Sequence, residues 1–136
     1  MSSGNAAVMA LDYGDKRIGV AMASLSSRLA SPLVTLNNDA SMLTNLESLI
    51  KQNNVTVLVV GYPRNQQGQP TQQTHLVEQF IEMLKQFNLT IKLQDESLTS
   101  VYAEAELKAG KAPYTKKDVD ALAATYILED YLSTIN

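Results

Sequence analysis

The chain has 136 residues, 45% of them hydrophobic, with no cysteine and a formal net charge of −3. That length fits one domain, spanning residues 1–136, with a real core. The lack of cysteine excludes disulfides and thiolate metal sites, and an acidic balance argues against a strong non-specific nucleic-acid binder, which would be basic overall. No apolar run reaches the length that spans a bilayer, so no membrane partner is expected. Residues 1–5 lack the charged and apolar regions of a signal peptide. They read as a disordered lead-in to a cytoplasmic protein.

The first predicted strand, over residues 8–12, closes a buried run that ends in a single carboxylate, Asp12. Gly14-Asp15 suits a two-residue hairpin turn with glycine at its first central position. The second strand covers residues 17–24, where Ile18, Val20 and Met22 alternate with Gly19, Ala21 and Ala23, leaving one face lined by small residues. A third strand is expected over 28–36, with Pro32 marking an edge or a bulge. A helix over 41–52 carries the stripe Leu43, Leu46, Leu49 and Ile50. Ser41 or Asp39 could cap it, or Thr44 and Glu47 could form a capping box.

Residues 55–60 are a nearly continuous β-branched run, the pattern of a parallel strand covered on both faces. It ends at Gly61-Tyr62-Pro63, before a polar loop over 64–71. A helix over 74–87 follows, with Val77, Phe80, Ile81 and Leu84 on one face. A strand over 90–94 runs into Asp95-Glu96. A helix over 98–108, started by Thr99 or Ser100, has Ala103, Ala105 and Ala109 for close packing. The last helix covers 116–133. The order β-β-β-α-β-α-β-α-α predicts an α/β fold: a five-stranded mixed sheet with helices on both faces and the first strand central, beside residues 55–61. Sites in such sheets form beyond the carboxyl ends of the parallel strands. Asp12, the Gly61 loop and Asp95-Glu96 all fall there.

The acids differ in their alternatives. Asp12 is costly to bury without a partner, and its structural reading is a turn residue. Asp118 completes Thr115-Lys116-Lys117-Asp118, an N-terminal capping pattern, and as a first-turn acid it suits the helix dipole. Asp120 instead shares a helix face with Ala123, Ala124, Ile127, Leu128 and Tyr131. A carboxylate on that packing stripe needs a metal or a partner such as Lys116 or Arg17. Asp95 and Glu96 point to opposite faces, and either could be a turn or cap residue. Together the acids suggest a shared site, and with one histidine and no cysteine, hard oxygen donors favour Mg²⁺ or Mn²⁺ over Zn²⁺. His75 reads as a surface residue. Tyr13 and Tyr62, at strand ends, are weak candidates for substrate contact, and Tyr102, Tyr126 and Tyr131 suit core edges. Seven of the 11 Lys and Arg residues fall in loops or helix ends: Lys16, Arg17, Arg64, Lys108, Lys111, Lys116 and Lys117. They could form a basic rim or be ordinary solvated charges.

Four segments resemble a known family. These are Asp12-Tyr13-Gly14-Asp15-Lys16-Arg17-Ile18-Gly19-Val20-Ala21; Val59-Val60-Gly61-Tyr62-Pro63-Arg64-Asn65 with Gly68; Asp95-Glu96-Ser97-Leu98-Thr99-Ser100 with Ala103-Glu104; and Val119-Asp120-Ala121-Leu122-Ala123-Ala124 with Ile127-Leu128 and Tyr131-Leu132. Their order and spacing are those of the YqgF family, also called RuvX or Holliday-junction-resolvase-like and described as pre-16S rRNA nucleases. The resemblance runs from Val8 to Leu132. It implies an RNase H-like fold and a two-metal phosphodiester nuclease whose catalytic, metal-holding acids are Asp12, Glu96 and Asp120, with Asp12 bridging the ions and Asp95 and Asp118 as auxiliaries. Lys16, Arg17, Arg64, Lys111, Lys116 and Lys117 would contact nucleic-acid phosphates. Two departures stand out: Ser97 where the family commonly has Arg, and Arg64 where a smaller or apolar residue is common.

Within the nuclease reading the substrate is precursor rRNA, on a ribosomal particle, or a four-way DNA junction. The acidic balance favours RNA, and the chain would act as a monomer or homodimer. A non-catalytic nucleic-acid-binding module is the second class. A sugar-kinase or actin-like phosphotransferase shares the Asp-x-Gly start, but that fold needs two such domains.

Overall fold

Alternation of large and small apolar residues decides how the sheet is covered. The computed structural model describes residues 6–63, 67–96 and 99–135. β1 (Ala7–Tyr13), β2 (Arg17–Ser24) and β3 (Ser31–Asn37) form an antiparallel meander. α1 (Met42–Gln52), β4 (Val55–Pro63), α2 (Gln72–Leu84), β5 (Thr90–Glu96), α3 (Thr99–Ala109) and α4 (Lys116–Thr134) follow. The sheet order is β3-β2-β1-β4-β5, and β4 runs parallel to both β1 and β5. As expected from the connection rules, β1 is central and lies beside β4. No helix among the described residues is long and apolar enough to cross a membrane.

One face carries the large side chains. Met9, Leu11, Ile18, Val20, Leu58 and Val60 pack under Leu46 and Ile50 of α1 and Val77, Phe80 and Leu84 of α2. Burying each large side chain contributes about 1.5–3 kcal/mol. The other face is built from Val8, Ala10, Ala21, Ala23 and Val59, against Ala124, Ile127, Leu128 and Leu132 of α4. α3 packs on α4. The small residues on β2 let α4 lie close. A Cβ built at Gly19 would stand 2.0 Å from the Asp120 carbonyl oxygen and 2.4 Å from its carbon.

Several boundaries differ from the sequence expectation for local reasons. The β1–β2 connection is not a two-residue turn. The last strand pair is Tyr13 with Ile18, and Gly14 is not among the described residues of positive φ. Asn38 holds the connection instead: its side-chain amide donates to the Gly14 carbonyl and its N–H to the Lys16 carbonyl, each at 2.9 Å. β3 begins at Ser31 rather than at residue 28, because Arg28 adopts left-handed φ in a turn closed by its N–H on the Ser24 carbonyl. Pro32 does lie on an edge strand beside a register shift. α2 stops at Leu84, and one 3₁₀ turn ends at Asn88 in left-handed φ. On α3, Ala103 is buried while Ala105 and Ala109 are exposed. Residues two apart point to different sides of a helix, so the three alanines cannot form one packing face.

Gly19→Ala is expected to destabilise the protein by at least ~1–3 kcal/mol, the cost of overpacking against a backbone that must shift. A lower urea midpoint with an unchanged slope would show it.

Candidate active site

β1 presents Asp12 on the α4 face, in step with Val8 and Ala10. Its neighbour across the β1–β2 pair is Gly19. On the other side, β1 and β4 pair through Leu11 and Val60, one position before Asp12 and Gly61. Glycine therefore flanks Asp12 on both neighbouring strands. A Cβ at Gly61 would meet Glu96 Oε2 at 2.9 Å and Ile127 Cδ1 at 2.7 Å. With no side chain at Gly61, Glu96 reaches across β4 towards Asp12.

β5 continues through Glu96, so Asp95 and Glu96 are strand residues, pairing with Tyr62 and Pro63. Strand alternation gives Glu96 to the α4 face and Asp95 to the opposite one. The Thr99 hydroxyl, at the start of α3, donates to Glu96 Oε1 at 3.3 Å. From α4, Asp120 meets Arg17, whose Nε donates to Oδ2 at 2.6 Å. Both side chains are part-buried.

Asp12, Glu96 and Asp120 thus line one open pocket of about 450 Å³, together with Tyr13, Gly14, Arg17, Pro63, Gln73, Thr99 and Val101. Asp12 is only partly accessible at this pocket. Burial is the largest cause raising its carboxyl well above the ordinary value of 3.8, followed by the charge of Glu96, a hydrogen bond with that side chain, and the charge of Asp120. A carboxyl so placed resists ionisation.

The two oxygen-bearing groups, Asp12 and Glu96, fit a hard divalent ion in donor chemistry. Among the described residues, however, no set of three or more Asp, Glu or His side chains is already arranged as a metal cage. One oxygen of the third acid, Asp120, is engaged by Arg17. The arginine partner considered in the sequence for a carboxylate on the α4 stripe is the one observed.

Other candidates lie elsewhere. Asp118 accepts from the Thr115 N–H at 2.8 Å and completes the expected capping box. Its residue borders a separate pocket between α3, α4 and Pro32. Asp95 does not line the Asp12 pocket. Tyr13 does line it, with its ring 4.7 Å from that of Phe80, whereas Tyr62 borders a depression between α2 and β5. His75 is exposed and 3.3 Å from Glu78. Tyr102 is 58% exposed rather than at a core edge. Tyr126 donates to Glu106, which pushes its phenol up to about 12.

Lys16, Lys111, Lys116 and Lys117 are exposed, and among the described residues none forms an ion pair. The Lys16 carbonyl accepts from Asn38 and the Lys117 carbonyl from Thr35, at 2.6 Å. Lys108 instead pairs with Glu104 at 3.3 Å. Arg64 and Ser97 lie outside the described residues.

Sequence reasoning missed Gln73 as a lining residue of this pocket and named Thr99 only as a helix start and within a family motif, whereas it placed Gly61 at the strand ends where sites form. Gln73 donates its amide to the Tyr13 carbonyl at 3.2 Å. Its only signal was its position in the turn that opens α2 beyond β4.

The sequence profile of the RuvX family, described as Holliday junction resolvase, matches residues 6–134. A relative from Roseiflexus sp. (strain RS-1), named "Putative pre-16S rRNA nuclease", is 39% identical over 98% of this chain and 99% of its own. One of the same name from Rickettsia peacockii (strain Rustic) is 38% identical over 96% of this chain and 88% of its own. Among solved structures, T. thermophilus RuvC in complex with Holliday junction substrate aligns with a TM-score of 0.56 at 10% identity, covering 94% of each chain. Fowlpox virus resolvase, in complex with Holliday junction DNA, aligns at 0.52 and 11% identity, over 94% of this chain and 97% of its own. These structural likenesses show the RNase H-like fold of the resolvases. With the profile covering nearly every described residue and full-length relatives at this identity, the chain belongs to the RuvX family.

Proposed function

We propose that this protein is a divalent-metal-dependent phosphodiester nuclease that trims the 5′ end of the 16S rRNA precursor, acting on a ribosomal particle in the cytoplasm. The observation that carries the reading is the meeting of Asp12, Glu96 and Asp120 in one pocket at the carboxyl end of the parallel strands. The precursor-rRNA substrate is supported by the shared name of the relatives.

Asp12 and Glu96 would hold Mg²⁺ or Mn²⁺, joined by Asp120 once it leaves Arg17, with Asp95 and Asp118 outside that set. An ion held there would supply Lewis-acid chemistry, lowering the pKa of a water and offsetting charge on the leaving oxygen. The protein's own groups supply position. Gly61 leaves the space through which Glu96 reaches Asp12, and the Thr99 hydroxyl orients the Glu96 carboxylate. Lys16, Lys111, Lys116 and Lys117, with Arg64, would grip backbone phosphates, and binding would weaken as salt rises.

A second substrate, the four-way DNA junction, is favoured by the likeness to RuvC and would call for a homodimer to cut symmetrically. The net charge of −3 favours RNA. The deciding assay incubates one preparation with Mg²⁺ or Mn²⁺ and either a 5′-extended 16S precursor fragment or a synthetic four-way junction, with Asp12→Asn as control. Cleavage of the RNA alone is expected. Cleavage of the junction alone would reassign the substrate, and cleavage of neither, without metal binding, would leave a non-catalytic binding module.

Asp12→Asn should lose cleavage yet gain stability. A folded carboxyl raised above its unfolded value binds extra protons, so its contribution is full below the ordinary value and lost as pH rises through the raised one. The variant is therefore expected to melt several degrees higher than wild type at pH 7 without metal, with the gap closing near pH 4. Adding Mn²⁺ should raise the wild-type melting temperature by mass action but leave the variant little changed.

Gly61→Ala places a methyl where only the ends of two flexible side chains stand. The fold should tolerate it while Glu96 moves. Turnover is expected to fall by up to ~10²-fold with a small change in melting temperature, as for misplacement on the ångström scale.

A further inference from the structure

Among the described residues, Arg17 is the one cation that lines the Asp12 pocket. Strand register puts it there. The β2 residues facing α4 run Arg17, Gly19, Ala21, Ala23, so a single long cationic side chain precedes three small ones. The close approach at Gly19 fixes the Asp120 backbone against β2, two residues from Arg17. The resulting pair is short, at 2.6 Å, and part-buried at 29% and 23% side-chain exposure. It is single-pronged: only Nε is engaged, and among the described residues the guanidinium has no other hydrogen bond.

We propose that Arg17 is the resident counter-cation of Asp120 and competes with the divalent ion for that carboxylate. In the metal-free protein the guanidinium neutralises Asp120. When a divalent ion engages Asp120, Arg17 is released, and its planar donor fork becomes available to a substrate phosphate. Arg17 is thus a positioning residue whose two partners alternate, and it links metal loading to phosphate capture. The inference rests on the metal-dependent reading above.

The test uses the whole chain without nucleic acid. Mn²⁺ is titrated calorimetrically into wild type, Arg17→Gln and Arg17→Lys at pH 7, with melting curves confirming that each is folded. Removing the competitor should tighten Mn²⁺ binding in Arg17→Gln by roughly three- to thirty-fold, the span between an exposed ion pair and a charged hydrogen bond. Arg17→Lys, which keeps the charge, should stay nearer to wild type. Equal or weaker binding in Arg17→Gln would overturn the competition and leave the metal site standing. No binding in wild type or variant would overturn both this inference and the metal-dependent reading. A second measurement needs no variant. The Arg17 Nε–H resonance of ¹⁵N-labelled wild type should leave its hydrogen-bonded position as Mg²⁺ is added. A resonance that stays in place at saturating Mg²⁺ would also overturn the proposal.

Discussion

Helix α4 rests on β2 where β2 has no side chain. The Asp120 carbonyl occupies the volume a Cβ at Gly19 would need. That contact places a charged helix residue at the sheet surface, opposite a strand whose next residue facing α4 towards the turn is Arg17. Everything on the Asp120 side of the pocket follows from it. Gly61 does the same for the other side, because an empty position on β4 lets a β5 carboxylate reach a β1 carboxylate across an intervening strand. Asp12 sits between these two clearances.

The arrangement sets stability against use. Asp12 and Glu96 share a partly enclosed space, and burial together with mutual repulsion disfavours ionising Asp12. The two apolar layers must hold this in place. The layer beneath α1 and α2 holds the larger side chains, and it lies on the side of the sheet away from Asp12, Glu96 and Asp120. The layer that carries the acids is built largely of alanine and valine and depends on closeness rather than bulk.

Strand order, the central place of β1 and the helices on both faces were legible because periodicity and connection rules act on whole segments. Asp12 and Asp120 were legible because each is a carboxylate interrupting an apolar pattern. Residue pattern alone left Asp95 and Glu96 open and the family resemblance pointed to Glu96; the strand continuing two residues past Gln94, paired with Tyr62 and Pro63, is what turns Glu96 to the α4 face. The β1–β2 turn could not be read from Gly14-Asp15, since Asn38, more than twenty residues on, holds it. Gln73 was illegible for a similar reason, and Gly61, though placed at a strand end by its pattern, gave no sign of the clearance it provides. Their roles lie in what neighbouring strands place beside them, which local sequence does not encode. The spacing of three alanines on α3 was misread as a face where the helix geometry allows one buried contact.

The connection from β4 to α2 is anchored at both of its ends. Thr71 and Thr74 cap α2 reciprocally, and the buried Thr74 hydroxyl donates to the Pro63 carbonyl at 2.5 Å. The helix start is thereby pinned directly to the strand end, independently of the residues between them. Because doubling a loop's length costs only ~0.6 kcal/mol in closure entropy, the segment between these anchors is a natural place for grafting. Sequences of different length and charge could be exchanged between these anchors without disturbing the strands that carry Asp12 and Glu96.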